Sequence, residues 1–156
     1  MTSHRIELKP MTGEYAAAIA DWRYEPPYDF YDLDADPDDL AEFLDPQSWS
    51  SSFAACDGSE LVGFFSFASS GGDIVVGLGL RPDLTGHGLG EAFMRAGLDF
   101  ATARYSPRRF VLSVADFNHR ARRLYTRLGF IETRTFDQPT NGGVFPFVEM
   151  VWDRGR

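Results

Sequence analysis

Arg81-Pro82-Asp83-Leu84-Thr85-Gly86-His87-Gly88-Leu89-Gly90 decides how this chain folds, because it joins an apolar run to an amphipathic helix through three alternating glycines. Upstream, Asp73-Ile74-Val75-Val76-Gly77-Leu78-Gly79-Leu80 is nearly all apolar, as a central strand would be. Downstream, Leu89, Phe93, Ala96 and Phe100 mark one face of a helix running to about Tyr105, before Ser106-Pro107. Glycine permits close backbone approach and turns N–H groups toward one point, and a helix start adds partial positive charge, so a phosphate group is the expected ligand. The spacing is neither the Walker A loop, since no Gly-Lys-Ser/Thr follows, nor the dinucleotide G-x-G-x-x-G fingerprint. The glycines alone fit a tight helix-capping turn equally well. Gly77 and Gly79 interrupt the strand and predict a bulge, or a place where a ligand or backbone comes very close.

A second stretch follows one strand later. Asn118-His119-Arg120-Ala121-Arg122-Arg123-Leu124-Tyr125-Thr126-Arg127-Leu128 carries a helical stripe of Ala121, Leu124, Tyr125 and Leu128, with Gly129 as its C-terminal cap. At about 100° per residue, Asn118 and Tyr125 lie seven residues apart on nearly the same face. Both can address one ligand. Taken singly, Tyr125 also suits a core position and Asn118 a helix cap.

The remaining elements are read outward from these two. Arg5 to Lys9 alternates as a first strand ended by Pro10, and Thr12 caps a helix with Tyr15, Ile19 and Trp22 on one face. Tyr24-Glu25-Pro26-Pro27-Tyr28-Asp29-Phe30-Tyr31 is aromatic, acidic and proline-stiffened, an ordered loop or lid. Asp36-Pro37 starts a short helix through Leu44. Strands around Ser51 to Cys56 and Leu61 to Ala68 join through Asp57-Gly58, a hairpin signal. Phe110 to Val114 is a further strand, and Ile131 to Phe136 and Val144 to Trp152 flank a turn-rich stretch from Asp137 to Gly143. The order is β α α β β β α β α β β.

The 156 residues suit one domain, 1–156. Apolar residues at 44% can bury a core. No run approaches the roughly 18 apolar residues of a membrane span, and Met1-Thr2-Ser3-His4-Arg5 lacks a signal peptide's apolar region, so a soluble cytoplasmic protein is expected. One cysteine, Cys56, excludes an internal disulfide, and three histidines offer no metal-ligand cluster. The net charge of −8 is unevenly spread: residues 1–60 hold fourteen acids against three bases, residues 61–156 nine against twelve. Within 21–45, ten carboxylates face Arg23 alone, a field that repels nucleic acid and anionic membrane and attracts a cation.

The two stretches together resemble the GNAT superfamily of acyl-CoA-dependent N-acyltransferases, through Gly86-His87-Gly88-Leu89-Gly90 after a strand and Asn118-x-x-Ala121-x-x-Leu124-Tyr125-x-x-Leu128-Gly129-Phe130. The element order matches too. One departure is Thr85, where the family's loop usually opens with Arg or Gln. The resemblance implies a three-layer α/β fold: a twisted, mixed, mostly antiparallel sheet of about seven strands, flanked by about four helices and splayed between the fourth and fifth strands to admit acyl-CoA. It further implies a cofactor set of Leu78, Gly79, Leu80 and Arg81 beside pantetheine, Gly86, His87, Gly88, Leu89, Gly90 and Glu91 around the pyrophosphate, and Asn118, Ala121 and Tyr125 along the arm, with no metal.

The chemistry suits those roles. A thiol of pKa about 8.5 leaves more easily when a phenol of pKa about 10 hydrogen-bonds and protonates it. A bulge at Gly77 to Gly79 would free an N–H for the oxyanion, where one donor is worth roughly 3 kcal/mol. For the base that takes the amine's proton, Asp73 and Glu25 are the candidates, alongside water. Tyr24, Tyr28 and Tyr31, with Glu25 and Asp29, could hold an ammonium acceptor by cation–π contact and charge. Arg104, Arg108, Arg109, Arg120, Arg122, Arg123 and Arg127 could meet the 3′-phosphate of CoA. The expected activity is acetyl transfer from acetyl-CoA to a primary amine in a ternary complex. The alternative is a non-catalytic acyl-CoA-binding or regulatory module on the same scaffold. Strand edges and the Val144 to Trp152 segment could support a homodimer, and neither nucleic acid nor membrane is an expected partner.

Overall fold

The computed structural model describes residues 5–154. Strand β1 (Ile6–Pro10) leads to helix α1 (Gly13–Ala20); short 3-10 turns at Tyr28–Tyr31 and Leu33–Ala35 precede α2 (Pro37–Leu44), and another at Pro46–Ser51 follows it. Then come β2 (Ser52–Asp57), β3 (Glu60–Ser70), β4 (Asp73–Leu80), α3 (Gly90–Tyr105), β5 (Arg109–Ala115), α4 (His119–Leu128), β6 (Ile131–Thr140) and β7 (Gly143–Asp153). All seven strands form one sheet in the order β1-β2-β3-β4-β5-β7-β6. Every pair is antiparallel except β4 with β5.

The exception matters most. The parallel register covers only Asp73↔Arg109, Ile74↔Phe110 and Val75↔Val111, although β4 continues to Leu80 and β5 to Ala115. Beyond Val75 the two strands splay and leave a gap in the middle of the sheet. Each strand is secured on its far side, β4 along its length by β3 and β5 by β7, so the gap is held open by rigid walls.

Two cores sandwich the sheet. On one face, Phe65, Phe67, Phe93, Leu98, Phe110 and Met150 pack with α3 and α4; on the other, Met11, Ala16 and Ile19 pack with Trp22, Trp49 and Phe64. The switch of faces along β3 has a local cause. Ala55 pairs with Gly63 but Cys56 with Leu61, so Val62 is one residue too many for its partner strand and shifts the alternation. Leu61 and Phe64 thereby face α1, while Val62 and Phe65 face α3.

Local signals account for most boundaries. Thr12 accepts from the Tyr15 N–H, Asp36 accepts from Asp38 and Asp39 with Pro37 behind it, and Gly129 ends α4 at φ 111°. Pro10 ends β1, as expected, and is itself its last residue, tolerated because β1 pairs on one side only. Two expectations need correction. The stretch 137–143 is mostly strand: β6 and β7 continue to a tight turn at Asn141-Gly142, where both residues have positive φ. No bulge interrupts β4 at Gly77 to Gly79, since its register with β3 is unbroken from Asp73 to Leu80. Those glycines are there because side chains of β3 lie across them. A Cβ at Gly77 would stand 2.4 Å from the Ser66 hydroxyl oxygen, and one at Gly79 would stand 2.3 Å from the Phe64 ring.

Among the described residues, no helix is long and apolar enough to cross a membrane, and no group of three or more His, Cys, Asp or Glu is placed to hold a metal ion.

Candidate active site

The gap between β4 and β5 opens into a cleft of about 530 Å³. Its strand walls are Val76 to Leu80 on one side and Leu112 to Val114 on the other. The Arg81 N–H donates to the Val62 carbonyl across β3 at 2.8 Å. Because inward and outward backbone groups alternate along an antiparallel strand, the N–H and C=O groups of Leu78 and Leu80, beyond the last parallel pair at Val75, face the gap instead. They have no strand partner there. A flat, unbulged β4 therefore already presents the donors that the sequence reading sought in a bulge.

One end of the cleft is built for anions. Gly86 and Gly88 adopt φ 76° and 79°, a region that L side chains resist, and a Cβ on Gly88 would meet open space. Here glycine serves the backbone path and not the packing. Helix α3 begins at Gly90 without a side-chain cap, so its first N–H groups are free of internal partners. Opposite stand Arg120, Arg123 and Arg127 at i, i+3 and i+7 of α4, all exposed and without an ion pair among the described residues. The other arginines are committed elsewhere. Arg122 holds Glu132 at 2.8 Å, Arg109 holds Asp73 at 2.7 Å, and Arg104 lies 5.4 Å over the Phe53 ring.

Deeper in, Tyr125 is 7% exposed and its hydroxyl takes no hydrogen-bond partner among the described residues. Burial, with a smaller contribution from neighbouring Tyr31, pushes its pKa well above the ordinary phenol value, so it keeps its proton. Asn118, 9% exposed, is both a helix cap and a link. Its Oδ1 accepts from the Ala121 N–H at 3.1 Å, and its Nδ2 donates to the Tyr31 hydroxyl at 3.1 Å. The cap fixes which end of the amide is which.

The segment from Tyr24 to Tyr31 spans the opening. Tyr24 donates its hydroxyl proton to the Leu80 carbonyl on the β4 lip at 2.7 Å, and the Tyr31 oxygen accepts from the Ala115 N–H on the β5 lip at 3.3 Å. With two N–H donors on its oxygen, Tyr31 must turn its own proton elsewhere, and the ring borders the cleft. Burial raises the pKa of both phenols, so both remain protonated. The segment is anchored from behind by the β6–β7 turn: Asn141 Nδ2 donates to the Phe30 carbonyl at 2.8 Å, and Phe30 packs 5.0 Å from Phe145. Asp36 accepts from the Asn141 N–H as well as capping α2.

Several expected site residues lie elsewhere. Asp73 sits at the far end of β4, where Arg109 grips both its carboxylate oxygens and holds its pKa low, so it is not brought to the cleft. Glu25 is exposed and outside the lining. Arg81 is spent on Glu60, Asp83 and the Leu61 carbonyl, the His87 side chain is exposed away from the lining, and Leu89 is buried. Tyr28 borders the cleft, but its ring lies 4.3 Å beneath Arg120 and is not open to a substrate cation. Missed residues that do line it include Trp22, Leu33, Phe64 and Ser113. Only Trp22 carried a signal, its place on the apolar stripe of α1.

The site thus combines a mixed sheet that parts between its parallel strands, a positive-φ glycine loop on one side and a buried phenol on the next helix. The profile of the Acetyltransferase (GNAT) family matches residues 16–130, and the chain belongs to that family. A GNAT-family acetyltransferase from Bacillus anthracis superposes at TM-score 0.75 with 13% identity, covering 100% of this chain and 99% of that one. A spermidine N-acetyltransferase chimera from Vibrio cholerae and hSSAT gives TM-score 0.73 at 17% identity, covering 96% of both chains. The aminoglycoside acetyltransferase AAC(6')-Ib, solved with paromomycin and acetyl-CoA, gives 0.73 at 19%, covering 96% and 94%. No curated protein sequence gives a significant match.

Proposed function

We propose that this protein transfers the acetyl group of acetyl-CoA to a primary amine by direct attack in a ternary complex. The observation that carries the reading is that one continuous cleft joins the anion-binding end at Gly86, Gly88 and the α4 arginines to the buried phenol of Tyr125 through unpaired strand edges. A spermidine N-acetyltransferase among the similar structures, and another solved with paromomycin and acetyl-CoA, support the same class of reaction.

In this reading the diphosphate lies on the loop N–H groups, and the pantetheine arm pairs with the free edge of β4 at Leu78. The amine nitrogen attacks the thioester carbonyl, whose oxygen takes on charge near the Leu78 N–H. The C–S bond then breaks while Tyr125 donates a hydrogen bond to the departing sulfur, which leaves as the thiolate. The ammonium proton leaves through water, because the sole carboxylate among the described lining residues, Glu91, stands at the anion end and faces Arg95 at 3.6 Å.

Release of CoA thiol on mixing the protein with acetyl-CoA and a panel of primary amines tests the reading. Acetyl-CoA binding without release for any amine would instead favour the acyl-CoA-binding module. A separate expectation concerns the arginines. Replacing Arg120, Arg123 and Arg127 together with Gln should weaken CoA binding about tenfold in calorimetry at 0.1 M salt, because exposed charges each contribute roughly 0.5 kcal/mol, and the difference should shrink at 1 M salt. An unchanged dissociation constant would remove the arginines from the binding site.

A further inference from the structure

The strongest unexplained feature is where the acidic segment's carboxylates go. Ten of them crowd residues 21–45, yet none lines the cleft. Asp32 accepts from the Tyr24 N–H, Asp34 pairs with Arg23 at 2.9 Å, and Asp36 and Asp45 cap the structures that follow them. Glu25 and Asp29 are exposed outside the lining. The wall of the cleft on the α1 side of the sheet is instead Ile19, Trp22, Leu33 and Phe64, with the two tethered phenols Tyr24 and Tyr31.

This wall lies across the sheet from the arginines and the glycine loop. Ile19 belongs to the core beneath α1, with Trp22, Leu33 and Phe64 packed against it, whereas Tyr125 belongs to the core beneath α3 and α4. The cofactor's anions and the acceptor thus meet through the gap from opposite faces, and the acceptor meets an apolar wall. Such a wall disfavours an ammonium ion relative to the neutral amine, which is the form that attacks. It also disfavours any second charge on the acceptor, because this wall offers that charge no carboxylate and the one in the lining, Glu91, stands at the anion end.

We infer that the acceptor is a monoamine on an aromatic or apolar body, seated against Trp22, Leu33 and Phe64, and not a polycation. The acidic rim draws the ammonium form toward the opening, and the apolar wall then selects the body that carries it. This rests on the acetyltransferase reading above and names the substrate class of that same cleft.

The test compares 2-phenylethylamine and tryptamine with spermidine and kanamycin at saturating acetyl-CoA, using the full chain and CoA-thiol release. Aromatic monoamines should exceed the polycations at least tenfold in kcat/KM. Leu33→Asp should narrow or reverse that ratio, and its melting temperature reports whether it has folded. Calorimetry of 2-phenylethylamine into the CoA-loaded protein supplies a readout independent of turnover. Polycations as the better substrates would overturn the inference and leave the acetyltransferase reading standing. Binding of 2-phenylethylamine without turnover of any amine would uphold the substrate class and overturn the reaction. The absence of both binding and turnover of the aromatic amines would overturn the inference.

Discussion

Tyr125→Phe should lower turnover about a hundredfold while leaving acetyl-CoA affinity within about twofold. The affinity should survive because the ring stays. It belongs to the main core and packs 6.1 Å from Phe130, and the hydroxyl removed has no partner within the protein. The rate should fall because a positioned proton donor contributes typically 10²–10⁴-fold to a group transfer. The lower end applies here. Burial drives the phenol's pKa above its ordinary value of about 10, so full proton transfer to a thiolate of pKa about 8.5 is uphill, and the phenol acts mainly as a hydrogen-bond donor to developing charge.

That same shift fixes the pH profile. The donor stays protonated up to and beyond pH 10, so the rate should climb with deprotonation of the amine and show no falling limb below about pH 10. Steady-state kinetics from pH 6 to 10, with calorimetry of acetyl-CoA for both proteins, checks both statements. Equal turnover in the two proteins would sink the assigned role.

The sequence was most legible where function depends on backbone path and helix phase. Gly86 and Gly88 could be read as a cradle because positive φ is a local property that glycine announces. Asn118 and Tyr125 could be placed on one face by counting residues along a helix, and Asp36-Pro37 by the chemistry of a helix start. What stayed hidden was set by contacts between distant segments. Tyr24 reaches Leu80 and Asn141 reaches Phe30 across 56 and 111 residues, so no window of sequence could show that the aromatic segment straps both lips of the gap. The acidic run misled for a related reason. Charge density is visible in sequence, but whether a carboxylate caps a turn, pairs with Arg23 or faces a ligand depends on where the loop lies. Asp73 lies outside the cleft, held by its neighbour across the parallel pair, Arg109, a pairing fixed by sheet register.

Asn118 separates scaffold from function more sharply than any other position, because its two ends do different work. Asn118→Ala removes the cap of α4, costing about 1 kcal/mol, and one of the two donors that hold Tyr31, costing about another. For a chain of this size, about 2 kcal/mol corresponds to a fall in Tm of roughly 4–8 °C. Asn118→Asp should leave Tm within about 2 °C of the parent, since a carboxylate still accepts from the Ala121 N–H and suits a helix N-terminus. Its effect falls on Tyr31. A carboxylate oxygen in place of Nδ2 accepts where the amide donated, so the phenol turns its proton from the cleft toward the carboxylate. If that proton normally meets charge developing in the cleft, where such a bond is worth about 2 kcal/mol, kcat should drop about thirtyfold, and Tyr31→Phe should drop it comparably. Melting curves and kcat measured side by side decide it. A stable Asn118→Asp protein with full activity would show that the Tyr31 hydroxyl only ties the loop to β5.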